Sequence, residues 1–104
     1  MSELSKEEVQ LIFRKFINGD EHAFQTLFNL FYNKLLLYGN AITGHHAIVE
    51  DQIQELFIWL YNHPQQCRSI RNIETYLFLS LKKNLKTYLQ KDIDHQIRLR
   101  KFGQ

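Results

Sequence analysis

The sequence is poor in the residues that interrupt helices and in those that cross-link chains. Its 104 residues include one proline, Pro64, one cysteine, Cys67, and four isolated glycines. A single cysteine excludes an internal disulfide, and isolated glycines exclude a glycine-rich phosphate loop. No apolar run reaches the roughly 18 residues that a membrane span needs, and the polar N-terminus is unlike a signal peptide. We therefore expect a small cytoplasmic protein without membrane insertion.

Acidic residues are scarce in the C-terminal part of the chain. Residues 67–104 carry nine basic and three acidic residues, whereas residues 1–66 carry four basic and eight acidic ones. Clustered positive charge attracts polyanions, of which nucleic acid is the commonest in a cytoplasm. An ordinary solvated basic face explains the same charges, so charge alone leaves both interpretations open.

Helix start and stop signals divide the N-terminal part of the chain. Ser5 and Glu8 form a capping box ahead of a first helix. Gly19 and Asp20 then provide a left-handed cap and the N-cap of a second helix, which ends near Gly44.

The second half of the chain predicts two further helices. The third begins around 46–48 and ends before Pro64, a polar loop covers 62–72, and the fourth runs from 73 past 88. No segment alternates as a strand would. The predicted fold class is all-α, a compact bundle of about four helices in residues 1–91, with 92–104 as a frayed helical tail or the start of a linker.

Apolar residues repeat at helical spacing on all four segments and predict the core. These residues are Val9, Ile12, Phe13, Phe16 and Ile17; Phe24, Leu27, Phe28, Phe31, Leu35 and Tyr38; Val49, Ile53, Leu56, Phe57 and Leu60; and Ile73, Leu77, Leu81, Leu85 and Tyr88.

The fourth helix carries a row of lysines on the side away from its apolar stripe, with Tyr76 at the border. Cations that follow phosphates and a ring that stacks on an unpaired base are what single-stranded nucleic acid needs. A solvated basic face is the alternative. The predicted DNA-binding residues are Arg68, Arg71, Asn72, Tyr76, Lys82, Lys83, Asn84 and Lys86.

The third helix presents a face of opposite character. Asp51, Gln54, Glu55 and Ile58 follow the i, i+3, i+4, i+7 spacing of one helical face. A mixed acidic and apolar strip is typical of a surface that receives a basic partner helix. A plain solvated face would explain the two carboxylates but not the isoleucine.

Catalytic chemistry finds little support in the sequence. The five histidines show neither an i, i+4 pair nor a His-Glu-x-x-His spacing, so we expect no metal site. Cys67 beside Arg68 suggests a lowered thiol pKa, yet no histidine and aspartate pattern accompanies it. We expect no catalytic residues and no cofactor.

Three short motifs, in order, resemble region 2 of the sigma-70 family, specifically its extracytoplasmic-function (ECF) group. Gly19-Asp20-Glu21-His22-Ala23-Phe24 matches a Gly-Asp-x-x-Ala-Phe motif that opens the family's second helix. Asp51-Gln52-Ile53-Gln54-Glu55-Leu56-Phe57 matches an Asp-x-x-Gln-Glu-x-Phe motif of its third helix. Tyr76-Leu77-Phe78 and Tyr88-Leu89 match the fourth. The resemblance covers roughly residues 6–91.

This resemblance implies a transcription initiation factor domain. The face with Asp51 would dock on the clamp helices of the largest subunit of core RNA polymerase. The loop 62–72 and the fourth helix would hold the non-template strand of the minus-ten promoter element, with one base flipped into a pocket. An anti-sigma factor is a further implied partner.

The chain departs from the family pattern at three points. Lys82-Lys83 stands where the family often has Arg-Asn, so that Asn84 falls one position late, and Gln90 replaces an arginine. The family's C-terminal helix-turn-helix region has no counterpart, so we expect an excised domain or a truncated homologue. Two other functions remain open: a protein-binding adaptor without DNA binding, and a helix-turn-helix reader of duplex DNA, which the acidic third helix disfavours.

Overall fold

The computed structural model describes residues 4–102 and has the all-α architecture that the sequence predicts. Its elements in chain order are α1 (Lys6–Ile17), α2 (Glu21–Thr43), α3 (His46–Asn62), a short 3-10 helix (Gln66–Ser69) and α4 (Ile73–Phe102). No strand occurs among these described residues. The predicted segments 1–91 and 92–104 extend beyond them by residues 1–3 and 103–104.

The predicted helix caps are confirmed. The Ser5 hydroxyl accepts from the Glu8 amide at 3.1 Å, and the Glu8 carboxylate accepts from the Ser5 amide at 2.9 Å. Asp20 Oδ1 accepts from the Ala23 amide and so caps α2. Gly44 ends α2 at φ +72°, a left-handed conformation that glycine adopts without steric cost.

The core forms around α2, which packs against each of the other three α-helices. Leu35 of α2, Ile53 of α3 and Leu81 of α4 have no exposed surface. At one end of the bundle, the ring of Phe57 lies 5.0 Å from that of Phe28 in an edge-to-face arrangement. Edge-to-face pairs align the positive edge of one ring with the negative face of the other. The apolar stripes predicted for α1, α2 and α3 are all fully or partly buried.

The predicted inward position of Tyr88 is wrong. Its side chain is 37 % exposed, although the helical periodicity places it above Leu81 and Leu85, which are fully buried. The reason is the length of α4, which has 30 residues at about 1.5 Å each, whereas α3 has only 17. The C-terminal part of α4 therefore extends beyond α3. Residues 90–101 are all exposed and helical, and so the predicted tail is a continuation of α4.

The segment between α3 and α4 is more ordered than the polar loop that the sequence predicts. A 3-10 turn buries Cys67 completely, and its Sγ lies 4.0 Å from the Leu60 carbonyl oxygen. Burial raises the pKa of the Cys67 thiol, because the thiolate loses its hydration, so the expectation of a lowered pKa beside Arg68 is wrong. Within residues 4–102 no helix is both long and apolar enough to span a membrane.

Candidate nucleic-acid and protein interfaces

The first candidate site is a groove of about 380 Å³ between α3 and α4, called here the α3–α4 groove. Polar and aromatic side chains from both helices face it. Its lining residues are Glu55, Leu56, Trp59, Tyr76, Ser80, Lys83 and Asn84. The groove therefore joins three predicted DNA-binding residues with one residue that the sequence assigns to the protein-binding face.

Two aromatic residues, Trp59 and Tyr76, line the α3–α4 groove, and the ring of His63 lies next to them outside its lining. The Trp59 ring stacks on that of His63 at 4.7 Å between centroids and lies 6.4 Å from that of Tyr76. His63 Nδ1 is 2.7 Å from the Trp59 carbonyl oxygen, a hydrogen bond that fixes the histidine ring. The sequence predicts Tyr76 but not Trp59 as a site residue. The i, i+4 spacing of Trp59 and His63 signals their stacking, whereas the approach of Tyr76 depends on the packing of α3 against α4.

The three lysines of the predicted row lie within an arc of about 100° on α4, away from its buried stripe, but they do not all line the α3–α4 groove. Lys83 lines the α3–α4 groove beside Asn84, while Lys82 is half-buried and lines no part of it. Tyr76 and Lys82 are six positions apart, which separates them by about 120° around a helix. Lys86 is exposed outside the groove. Asn72 has a structural role as well, because its Oδ1 accepts from the Thr75 amide at the start of α4.

The two predicted arginines line a different depression from Lys83. Arg68 and Arg71 face α1 across a groove of about 500 Å³, called here the α1–loop groove. Lys6 and Arg14 of α1 form its opposite wall. The Arg68 Nε donates to Gln65 Oε1 at 2.9 Å, which holds its guanidinium group at the 3-10 helix.

The predicted protein-binding face is exposed throughout. Asp51, Gln54, Glu55 and Ile58 all have exposed side chains, and Ile58 exposes 58 % of its surface. This set is called here the acidic face. Of the four, Glu55 also lines the α3–α4 groove, so the two predicted sites are continuous.

An apolar groove of about 420 Å³ borders the acidic face between α2 and α3. Its walls include the rings of Phe24, Phe28 and Tyr61 and the side chain of Ile58. The Tyr61 hydroxyl donates to Glu21 Oε1 at 3.0 Å. This hydrogen bond to a carboxylate raises the pKa of Tyr61. A groove with apolar walls and an acidic border suits an apolar side chain of a basic segment.

Residues 4–102 contain no cluster of three or more histidine, cysteine, aspartate or glutamate side chains that could hold a metal ion. His46 lies 3.3 Å from Glu50 at Nε2 and 3.2 Å from Asn40 at Nδ1, so its ring is part of a surface network.

Comparison with known proteins identifies no relative of this chain: neither a family model, nor a curated protein, nor a solved structure matches it significantly. The resemblance to region 2 of the sigma-70 family therefore rests on the three sequence motifs alone.

Proposed function

We propose that this chain is a non-catalytic transcription initiation domain, similar to region 2 of an ECF sigma factor. In this role it binds core RNA polymerase and holds the non-template strand of the minus-ten element as single-stranded DNA. One observation carries the proposal: the aromatic and polar α3–α4 groove is continuous with an exposed acidic face, and the two share Glu55. A partner protein and a nucleic-acid strand can thus be held side by side.

The α3–α4 groove has the chemistry that an unpaired nucleotide requires. Tyr76 and the face of Trp59 that His63 does not cover offer ring surfaces for stacking, which contributes about 1–3 kcal/mol per base. Lys83 provides a cation for a phosphate. Asn84 and Glu55 provide an amide and a carboxylate for the polar edge of a base, and a carboxylate accepts from the amino groups of adenine and cytosine.

The acidic face and the apolar groove together favour a basic helical partner. Asp51 and Glu55 attract basic side chains, and Ile58 beside the rings of Phe24 and Phe28 offers an apolar anchor site. The resemblance implies that this partner is the pair of clamp helices in the largest polymerase subunit. An anti-sigma factor would be a competitor for the same surfaces.

Binding to the assembled complex tests the proposal. The chain is mixed with core polymerase, and fluorescent oligonucleotides with the minus-ten sequence are added as single strands or as duplex. We expect co-elution with core polymerase and preferential binding of the non-template single strand. Co-elution without any preference for that strand would instead identify a protein-binding adaptor. Failure to co-elute would refute the initiation function.

The adaptor function is supported by one specific observation. The apolar groove between α2 and α3 accommodates a side chain of any helical partner, whether or not DNA is present. A strand that binds only through Lys83 and the neighbouring rings would not touch it. The α3–α4 groove is the feature that an adaptor leaves unexplained.

A further inference from the structure

Four cations face one another across the α1–loop groove. Lys6 and Arg14 project from α1, and Arg68 and Arg71 project from the segment before α4. One carboxylate, that of Glu7, is among the residues described as lining this groove. None of the four cations has an ion pair within residues 4–102. Like charges gathered in this way repel one another, and an anionic ligand would relieve that repulsion.

The groove has fixed walls. Gln10, between Lys6 and Arg14 on the same wall, accepts from the Ile73 backbone amide at 2.9 Å and so ties α1 to the first turn of α4. Beneath the cations, the apolar side chains of Phe13, Ile17 and Ile70 line the groove. The arrangement is therefore a concave, apolar-floored channel with cations on both sides.

We infer that the α1–loop groove binds the sugar–phosphate backbone of a nucleic-acid strand at a site separate from the α3–α4 groove. Lys6 and Arg14 lie eight residues apart, about 12 Å along the axis of α1, which is the length of several nucleotides at 3.4 Å each. Arginine binds phosphate with two parallel hydrogen bonds, and sugars and bases can cover an apolar floor. This inference depends on the proposed function in one respect only, the identity of the strand that is bound.

The position of the α1–loop groove also allows one strand to reach both grooves. Arg71 directly precedes Asn72, the cap of α4, and Tyr76 of the α3–α4 groove lies in the first turns of that helix. The positive end of the α4 dipole therefore lies between the two grooves. One strand that leaves the rings of the α3–α4 groove can continue over this helix start into the α1–loop groove.

Salt-dependent binding of a fluorescent oligothymidylate of about 20 nucleotides to the full chain tests this inference. The variant Arg14→Gln/Arg71→Gln removes one cation from each wall. The matched control, Lys15→Gln/Lys91→Gln, removes two exposed lysines that line neither groove. Circular dichroism verifies that both variants retain the helical fold.

Log K falls linearly with log salt, and each lost phosphate contact reduces the steepness of this fall by about 0.7 for a single strand. We therefore expect a slope lower by about 1.4 units in Arg14→Gln/Arg71→Gln than in the control, and binding weaker by roughly 25-fold at 0.1 M salt. Identical slopes in the variant and the control would overturn the inference. Absence of binding by the unaltered chain at about 20 mM salt would do the same.

Two further arms identify the ligand and separate the two proposals. Polyglutamate of equal charge should displace the oligonucleotide poorly, and equal displacement would mean that the groove accepts an acidic protein segment instead. A Trp59→Ala/Tyr76→Ala variant should lose affinity with its salt slope unchanged. If only this variant is impaired, the α1–loop inference fails and the proposed function survives. If only the arginine variant is impaired, the α1–loop inference survives and the proposed nucleotide site in the α3–α4 groove fails.

Discussion

Gly39 of α2 lies so close to Val49 of α3 that a Cβ at position 39 would overlap a methyl group of Val49. Gly39 is buried inside a 23-residue helix, four residues before its end, where glycine is otherwise unfavourable by about 1 kcal/mol relative to alanine. The close approach explains the glycine, and it brings α3 near enough to α2 for both helices to share the core with α4.

Gly39→Ala should destabilise the fold, because an overpacked core position costs about 1–3 kcal/mol and exceeds the gain in helix propensity. Chemical denaturation measures the free energy of unfolding. In the double variant Gly39→Ala/Val49→Ala the overlapping methyl groups are absent, so its loss should be smaller than the sum of the two single losses. Additive losses would show that the contact between α2 and α3 is not tight at this point.

Phe57→Ala should lower the free energy of unfolding by about 3–5 kcal/mol, because the ring is buried against Phe24 and Phe28. The neighbouring Ile58 is exposed and serves as a control: Ile58→Ala should change the stability by less than about 0.5 kcal/mol. Equal melting of Phe57→Ala and the unaltered chain would contradict the buried position of this ring.

Cys67 should react slowly with thiol reagents, and its thiol should cause the free energy of unfolding to fall as the pH becomes alkaline. Burial raises the pKa of its thiol, whereas the unfolded chain has the ordinary value of about 8.5. As the pH rises, the unfolded state therefore loses the thiol proton before the folded state does. The contribution of this thiol to the free energy of unfolding is complete below about pH 8.5 and declines as the pH rises toward the folded pKa. Denaturation curves between about pH 8 and 9.5 measure the decline, and Cys67→Ala should abolish it.

Asp51→Arg/Ile58→Arg should prevent association with core polymerase without unfolding the chain. Both side chains are exposed and neither lines the α3–α4 groove, so the change affects the acidic face and leaves the nucleotide site intact. Placing cations against a basic partner costs several kcal/mol. Undiminished co-elution of this variant with core polymerase, together with native circular dichroism, would rule out the acidic face as the docking surface.

Trp59→Ala should weaken binding of the minus-ten single strand in the polymerase complex by about 1–3 kcal/mol, because a stacking ring is lost. The slope of its salt dependence should not change, since no cation is removed. Lys83→Ala should instead lower that slope by roughly 0.7, and Lys86→Ala, outside the groove, serves as its control. Wild-type affinity in Trp59→Ala would exclude the α3–α4 groove as the base-binding site.

Local signals in the sequence determined the helices and their caps. Ser5 with Glu8, Asp20 and Gly44 act within one turn of the chain, so their effect can be read from neighbouring residues alone. The buried stripe of α3 was also predictable, because apolar residues at a 3.6-residue period must share one face. Exposure of the acidic face follows from the same period, since it lies opposite that stripe.

Only the tertiary structure determined where α4 extends beyond the helices packed against it and which cations line the same groove. The exposure of Tyr88 depends on the lengths of the packed helices, which its own spacing does not encode. Arg71 faces α1 and Lys83 faces α3, although the sequence groups both on one basic track. Periodicity fixes the direction of a side chain around its own helix. The partner that it meets depends on how the helices pack, and packing is set by contacts between residues far apart in the chain.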